Sequence, residues 1–258
     1  MKICRYTTGA DVEPLYGFIV GAEIFPLAAN EIFRLPFAPP ETGPALALAD
    51  ATLVVPIAPS KIVCVGRNYQ AHAAELGNEL PEEPLLFLKA PSALIGPEAT
   101  IKLPAASARV EHEGELAVVI GRQAQRLHAA DNPLDYVLGY TCINDVTARD
   151  LQRKDVQFTR AKSFDTFCPT GPHIETDLDP LDVEVTTRVN GELRQQGRTS
   201  AMAFPVPFLI RYISNIMTLE PGDVIATGTP AGVGPLKTGD TVEVAVEGVG
   251  VLRNHVQR

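Results

Sequence analysis

Short apolar or alternating segments follow one another along most of this chain, and both patterns are typical of β-strands. Residues 2–27 contain the segments KICRY, LYGFIV and IFPL, which are separated by the turn sequences TTGAD and GAE. This part of the sequence therefore predicts a small antiparallel meander. The stretch LPFAPPETGPALALADA, at 35–51, is rich in proline and alanine and predicts a linker, so we place a domain boundary near residue 56.

From residue 61 the apolar runs become longer and predict a larger second domain. The strand-like runs are KIVCVG, LLFLK, ELAVVIG, YVLGYTCIN and GDVIATG, and Asn190-Gly191 between alternating segments is a strong hairpin signal. Helical patterns are fewer: NYQAHAAELGN with Gly77 as its stop signal, VTARDLQRK, and FPVPFLIRYISNIM, which is the best amphipathic segment. Strands dominate without the regular alternation of a βαβ repeat, so the sequence predicts a strand-dominated α+β fold.

The composition limits the classes of function. The chain has 258 residues, 45% of them hydrophobic, and a formal net charge of −9, so a basic face for nucleic acid or an anionic membrane is not expected. None of the four cysteines forms a C-x-x-C pair, so we expect buried free thiols and no zinc ribbon. No apolar run approaches the roughly 18 residues of a membrane span, and we expect a cytoplasmic protein.

Carboxylates crowd one face of the strand predicted in RVEHEGELAVVIGR. Glu111, Glu113 and Glu115 stand at every second position, and Asp145 ends another apolar strand. Carboxylates that converge from two strand ends suit Mg²⁺ or Mn²⁺, whose charge would offset their repulsion. His112 points to the other face, which argues against zinc. From spacing alone, the alternative is a strand that begins in solvent with hydrated glutamates.

His72 and Glu75 lie three residues apart on a short predicted helix and therefore on one face of it. A carboxylate beside an imidazole fixes the tautomer of the ring and raises its basicity, which is how a water-activating base is built. The alternative is an incidental pair on a surface helix. The acidic sequence NELPEEP follows the helix and would form a lid together with it.

Two further segments carry candidate chemistry. Lys162 lies in RAKSFDTFCPTGP, which predicts a loop with two prolines, and would bind an anionic substrate or a developing oxyanion; an ordinary surface lysine is the alternative. The glycine-rich sequence ATGTPAGVGPL lacks the lysine of a P-loop and the spacing of a dinucleotide-binding motif. Its backbone N–H groups and the Thr229 hydroxyl would hold a carboxylate, unless its glycines serve only a tight turn.

Taken in order, the segments CVGRNY, EHEGELAVVIG, NDVTARDLQ, AKSFDTFCP, VNGELRQQG and TGTPAGVGP resemble the fumarylacetoacetate hydrolase family. The branch that the chain resembles contains acylpyruvases and 2-hydroxyhepta-2,4-diene-1,7-dioate isomerases. The resemblance implies a mixed β-sandwich roll at 57–258, preceded at 1–56 by a small N-terminal β-meander domain and the proline-rich linker. It also implies a homodimer that binds Mg²⁺ or Mn²⁺ and acts on small 2-oxo acids, with no nucleic-acid or membrane partner.

By motif position, the resemblance implies roles for ten residues: the metal ligands Glu113, Glu115 and Asp145; the catalytic residues His72, Glu75 and Lys162; and the substrate-binding residues Arg67, Arg149, Gln152 and Thr229. Glu111 stays outside this set, as a peripheral acid.

The implied reaction is hydrolysis of a carbon–carbon bond in a 2,4-dioxo acid of the acylpyruvate or fumarylpyruvate type. Water activated by the His–Glu pair would attack, and a metal-stabilised enolate would leave. The same enolate also serves decarboxylation of an oxaloacetate-type 2-oxo acid, or isomerisation and decarboxylation of a 2-hydroxy-dienoate in aromatic catabolism, and these are the alternatives. A non-catalytic binding protein on the same scaffold is the alternative from another class.

Overall fold

Three β-sheets form the framework of the described chain, which comprises residues 1–9, 12–29, 31–34 and 44–258 of a computed structural model. The first nine residues of the predicted linker, 35–43, lie outside the described residues. From residue 44 the linker includes a two-residue strand and one 3₁₀ turn.

The strands are, in chain order, β1 (Lys2–Thr7), β2 (Leu15–Val20), β3 (Glu23–Leu27), β4 (Leu46–Ala47), β5 (Thr52–Leu53), β6 (Ile62–Gly66), β7 (Leu85–Lys89), β8 (Leu94–Ile95), β9 (Thr100–Lys102), β10 (Val110–His112), β11 (Gly114–Ile120), β12 (Val137–Asn144), β13 (Thr147–Ala148), β14 (Cys168–Glu175), β15 (Glu184–Val189), β16 (Glu192–Arg198), β17 (Val224–Ala226), β18 (Gly234–Pro235), β19 (Thr241–Val246) and β20 (Gly250–Gln257). The α-helices are α1 (Gln70–Glu75), α2 (Arg149–Lys154), α3 (Thr159–Lys162) and α4 (Val206–Ser214), and short 3₁₀ helices occupy Leu48–Asp50, Pro91–Ala93, Pro133–Tyr136 and Thr199–Ala201. These elements confirm the predicted strand-dominated α+β fold.

The largest sheet joins the N-terminal meander to the rest of the chain. Its strand order in the described residues is β4-β3-β2-β1-β14-β12-β11-β17-β6-β7, with β5 beside β1 and β8 beside β14. Strand β1 pairs with β14 through Lys2 opposite Glu175 and Ile3 opposite Ile174. The small N-terminal domain therefore continues the large sheet, although the sequence alone suggests a separate meander.

A second sheet, of order β16-β15-β19-β20-β9, packs against one face of the first, while β13-β10-β18 forms a third. Strand β11 shows how the layers meet. Its residues Leu116 and Val118 join a core cluster with residues of the second sheet and α4, whereas Ala117 and Val119 join the cluster on the opposite face. Burial of both faces explains why ELAVVIG is a continuous apolar run.

Helix α4 buries Val206, Leu209, Ile210 and Ile213, the spacing of one apolar helix face. Helix α1 ends before Gly77, which has a φ of +70°, as the stop signal predicts. None of the helices in the described part of the chain combines the length and apolarity that crossing a bilayer needs.

The segment from 161 to 172 is a correction to the sequence analysis, which reads it as a loop. Lys162 ends the helical turn α3, and β14 begins at Cys168 and contains Pro169 and Pro172. Proline lacks the N–H that a strand ladder uses. Pro172 is accommodated because the pairing of β14 with β12 shifts register between Tyr140 and Cys142, and the bulge spans this residue. Pro169 lies near the start of the strand, where β14 pairs with the two-residue strand β8.

Candidate active site

A cavity of about 270 Å³ opens beside the N-terminal end of β11 and the end of β12. Nine of the ten predicted site residues line it: Arg67, His72, Glu113, Glu115, Asp145, Arg149, Gln152, Lys162 and Thr229. Glu75 is the exception, and it contacts the cavity through His72. The structure thus brings together residues that are up to 162 positions apart in the chain.

Strand register brings the three carboxylates Glu113, Glu115 and Asp145 together. Glu113 lies between β10 and β11, and Asp145 directly follows β12. Gly114 pairs with Asn144 across the two strands, and the Asp145 N–H donates to the carbonyl oxygen of Glu113 at 2.8 Å. One oxygen of each carboxylate consequently lies within 4.8 Å of the others, and all three residues are buried.

Cationic side chains of the chain itself surround two of these carboxylates. The Lys162 ammonium donates to Glu113 Oε2 at 2.7 Å and to Asp145 Oδ2 at 2.6 Å. Lys89 donates to Asp145 Oδ1 at 2.6 Å, and Arg149 donates to the other oxygen of Glu113. The negative charge of Glu113 and Asp145 is therefore largely compensated.

Glu115, the third carboxylate, lacks the cationic partners that Glu113 and Asp145 have in the described residues. It accepts a hydrogen bond from the Gly228 N–H at 2.7 Å, and no cationic side chain in the described residues forms an ion pair with it. Burial, followed by the charges of Asp145 and Glu113, raises the pKa of Glu115 well above its ordinary value. Burial also disfavours the ionised form of Glu113, but Lys162 and Arg149 outweigh it and hold the pKa of Glu113 well below the ordinary value.

These residues fit a hard divalent cation. Three clustered carboxylates offer only oxygen ligands, the type that Mg²⁺ and Mn²⁺ prefer, and the uncompensated charge of Glu115 is what a cation would neutralise. His112 lies outside the cluster, because its Nδ1 hydrogen-bonds Gln195 at 3.0 Å on the opposite side of the strand. The all-oxygen donor set therefore favours a hard divalent cation over zinc, which prefers histidine and cysteine ligands.

Because the pKa of Glu115 is raised, part of the metal-free protein carries a proton there at pH values below that pKa. A cation binds the ionised carboxylate and displaces this proton, so affinity for Mg²⁺ should rise with pH. Calorimetric titrations in two buffers of different ionisation enthalpy should show proton release on Mg²⁺ binding that grows as the pH is lowered through the raised pKa of Glu115. The exposed-acid variant Glu192→Gln should release as much as the wild type. Zero release throughout would contradict the raised pKa.

Helix α1 places His72 at the cavity wall and Glu75 behind it. The Nδ1 atom of His72 lies 3.3 Å from Glu75 Oε2, and an ionised Glu75 requires the proton on Nδ1, which leaves the Nε2 lone pair free to act as a base. Both oxygens of Glu75 also accept from the Gly232 N–H at 3.1 Å. The His–Glu pair is therefore attached to the glycine-rich loop as well as to its own helix.

Polar contacts hold three of the four predicted substrate-binding residues, and Arg67 lines the cavity without such a contact to the described residues. Arg149 donates to Gln152 at 2.5 Å and to Glu111 at 2.7 Å. The Thr229 hydroxyl donates to the carbonyl oxygen of Gly114 at 2.8 Å. Gly228, whose N–H binds Glu115, has a φ of +99°, and an added Cβ would lie 2.7 Å from Asn68, so the loop requires glycine there.

Sequence reasoning missed two buried residues that contact the candidate site and undervalued a third. Lys89 ends the apolar strand β7 and is almost completely buried. The only sign of this in the sequence is a single charged residue after the four apolar residues of LLFLK. Gln195 belongs to the motif VNGELRQQG but was given no role. Glu111 is buried and binds Arg149, so it is a partner of a cavity residue and no mere peripheral acid.

Comparison with family models assigns both parts of the chain. Residues 61–257 match the model described as fumarylacetoacetate (FAA) hydrolase C-terminal, and residues 1–56 match the model described as Rv2993c-like, N-terminal.

Individual relatives agree with this match. The chain is 52% identical over 236 residues to Protein Rv2993c of Mycobacterium tuberculosis, covering 90% of this chain and 89% of the relative. It is 45% identical over 224 residues to the oxaloacetate tautomerase YisK of Bacillus subtilis, covering 81% and 74% respectively. The crystal structure of 2-hydroxyhepta-2,4-diene-1,7-dioate isomerase from Mycobacterium marinum superposes with a TM-score of 0.88 at 45% identity, covering 100% of this chain and 98% of that one.

Proposed function

This chain belongs to the fumarylacetoacetate hydrolase family, and on that premise we propose that it is a divalent-metal-dependent enzyme that moves a proton at carbon 3 of a 2-oxo acid. The reaction is keto–enol tautomerisation of oxaloacetate or the related double-bond shift of a 2-hydroxy-dienoate. The observation that carries the proposal is the acidic cluster facing His72 across one cavity. The names of the tautomerase and isomerase relatives support this alternative better than the carbon–carbon hydrolysis that the sequence analysis places first.

Glu113, Glu115 and Asp145 would hold the metal ion, which would supply Lewis-acid polarisation of the 2-oxo oxygen. Either Mg²⁺ or Mn²⁺ suits these ligands.

The remaining residues would bind the substrate and move its proton. Arg149 and Arg67 would bind its carboxylates, and Gln152 and Thr229 would fix its orientation. His72 Nε2 would accept the proton from carbon 3 while Glu75 holds the ring. Lys162, whose pKa is raised to about 12 because Asp145 and Glu113 outweigh burial, stays protonated and would stabilise charge developing on the oxygen. The proton held by His72 would then be passed to the enolate oxygen, through a water molecule, to give the enol and restore the neutral imidazole.

Hydrolysis of a 2,4-dioxo acid is the second candidate, because the ordered His72–Glu75 pair is also suited to deprotonating water. The two candidate reactions differ in the proton that His72 Nε2 would remove, which is bound to carbon 3 in tautomerisation and to water in hydrolysis.

A panel of 2-oxo acids with Mg²⁺ tests the proposal. Enol absorbance reports oxaloacetate tautomerisation, coupled detection of pyruvate reports decarboxylation, and loss of diketo absorbance reports cleavage of acylpyruvate and fumarylpyruvate. We expect fast tautomerisation that a chelator abolishes and Mg²⁺ or Mn²⁺ restores. Faster cleavage of a 2,4-dioxo acid would establish the hydrolase instead, and full activity in chelator would rule out the metal.

Replacing His72 by alanine should lower proton transfer at carbon 3 by about 10²- to 10⁴-fold, the range for loss of a general base. Exchange of the carbon 3 protons of oxaloacetate for deuterium, followed by NMR, measures this step directly. Mg²⁺ affinity should stay unchanged, since His72 is no ligand. Glu75→Gln is the matched variant, with a smaller loss because the base itself remains. An unchanged exchange rate in His72→Ala would remove this residue from the mechanism.

Two predictions of the sequence analysis stay predictions. One is the homodimer, which sedimentation at several protein concentrations would test. The other is the boundary between residues 1–56 and 57–258, which limited proteolysis would test.

A further inference from the structure

The motif VNGELRQQG places Gln195 at the junction of three parts of the site. Gln195 lies in β16, in the second sheet, and its side chain is completely buried. Its Oε1 accepts from the Gly114 N–H and from His112 Nδ1, each at 3.0 Å. Its Nε2 donates to Thr229 Oγ1 at 2.7 Å and to the Pro230 carbonyl at 2.8 Å. All four hydrogen-bonding capacities of the amide are in use.

The partners leave only one orientation for this amide. The Pro230 carbonyl can only accept, so it requires the NH₂ side of the amide, and the Gly114 N–H can only donate, so it requires the oxygen. A rotation by 180° would create two repulsive contacts in a buried position. The amide is therefore a fixed connector between the strand that carries Glu113 and Glu115 and the loop that carries Thr229.

The fixed amide in turn orders the Thr229 hydroxyl. This oxygen accepts from Gln195 and donates its own proton to the Gly114 carbonyl at 2.8 Å. Thr229 is 3% exposed and lines the cavity, so its position is set by Gln195 on one side and by the strand on the other. Position 114 requires glycine for a separate reason, because an added Cβ would lie 2.0 Å from Thr187 Oγ1.

We propose that Gln195 is a positioning residue for substrate binding. It acts through Thr229 and the 228–230 loop to hold the substrate in a fixed position beside the acidic cluster. The inference rests on the proposed function, because it assumes that a 2-oxo acid occupies this cavity. A positioning role and a purely structural role predict different changes in the kinetic constants of a Gln195 variant. The loop would bind ground state and transition state alike, so losing the connector should raise KM and leave kcat nearly unchanged.

The test is a double-mutant cycle in the full-length protein with Gln195→Met and Thr229→Val, and with Thr229→Ser as the matched variant that keeps the hydroxyl. Circular dichroism and thermal midpoints verify folding. Should Gln195→Met fail to fold, Gln195→Glu replaces it, because this variant keeps the acceptor for Gly114 and removes the amide donors to the loop. The readouts are KM and kcat, calorimetric affinity for oxalate in the presence of Mg²⁺, and Mg²⁺ affinity alone.

We expect Gln195→Met and Thr229→Val each to raise KM and weaken oxalate binding by about tenfold or more, with kcat within about threefold and Mg²⁺ affinity unchanged. The double variant should be no weaker than the weaker single variant, since both remove the same connection. Independent, additive effects, wild-type oxalate binding by the Gln195 variant, or a loss confined to kcat would overturn the proposal. If the wild-type protein neither turns over a 2-oxo acid nor binds oxalate, the proposed function itself fails, and that result does not depend on Gln195.

Discussion

The Glu115→Gln protein is expected to lose divalent-cation binding and about a thousandfold or more of kcat/KM on the 2-oxo acid substrate. Glu115 is the carboxylate of the cluster that lacks an internal cation, so the bound metal gains most from its charge. Glutamine keeps the acceptor for the Gly228 N–H but not the charge. Removing a metal ligand forfeits several kcal/mol of transition-state stabilisation, and each 1.36 kcal/mol is about tenfold in rate.

The same variant should be more stable than the wild type in chelator. The fold raises the pKa of Glu115, so the stability associated with its neutral form is present at low pH and is lost as the pH rises through the raised pKa. Thermal melts in EDTA should therefore favour Glu115→Gln increasingly as the pH rises, and saturating Mg²⁺ should reverse the order. Glu192→Gln, at an exposed acid, should change neither activity nor stability. A Glu115→Gln protein that binds Mg²⁺ like the wild type would remove Glu115 from the ligand set.

Lys89→Met is the substitution with the largest expected effect on stability, a loss of about 3–5 kcal/mol in free energy of unfolding. The Lys89 ammonium is fully buried, donates to Asp145 at 2.6 Å and to the Val146 carbonyl at 3.2 Å, and its removal leaves buried acceptors without this donor. Urea denaturation in chelator measures the loss. Lys102→Met removes an exposed lysine and should cost little.

Two further arms identify the cause of that loss. Asp145→Asn in the Lys89→Met background should recover part of the stability in chelator, because it removes a buried charge that Lys162 would share between Asp145 and Glu113. Saturating Mg²⁺ should recover part of it in Lys89→Met itself, since a cation beside Asp145 takes over the role of the ammonium. A loss that neither change reduces would indicate that Lys89 contributes packing by its aliphatic chain and little through its charge.

How much the sequence could predict depends on whether a property is local. The alternation in RVEHEGELAVVIGR predicts both the buried strand and the common face of Glu113 and Glu115, because side-chain direction in a strand follows position alone. The set of cavity residues, with His72 and Lys162 among them, came from the resemblance to the family, since the spacing of these residues alone left surface positions open. These features need no knowledge of how the sheets pack.

The partners of buried polar groups could not be predicted, because they depend on contacts between distant segments. Nothing beside Lys89 in the sequence shows that it meets Asp145, 56 positions away. Gln195 meets Gly114 across two sheets, and Glu111 gains its role only when Arg149 approaches it. The prolines of β14 led to the opposite error, a predicted loop where the structure has a strand, and a bulge explains how this strand contains Pro172.

The continuation of the large sheet into the N-terminal meander has a consequence for solubility. Exposed strand edges recruit strands of other chains, and proteins suppress this by making edge strands short. In the described residues one side of the sheet ends in β4, which is two residues long, whereas without the meander that side would end at the eight-residue strand β14. The described residues of the first segment, none of which lines the cavity, thus cover the Ile174–Glu175 end of β14 and reduce the strand edge that is open to self-association.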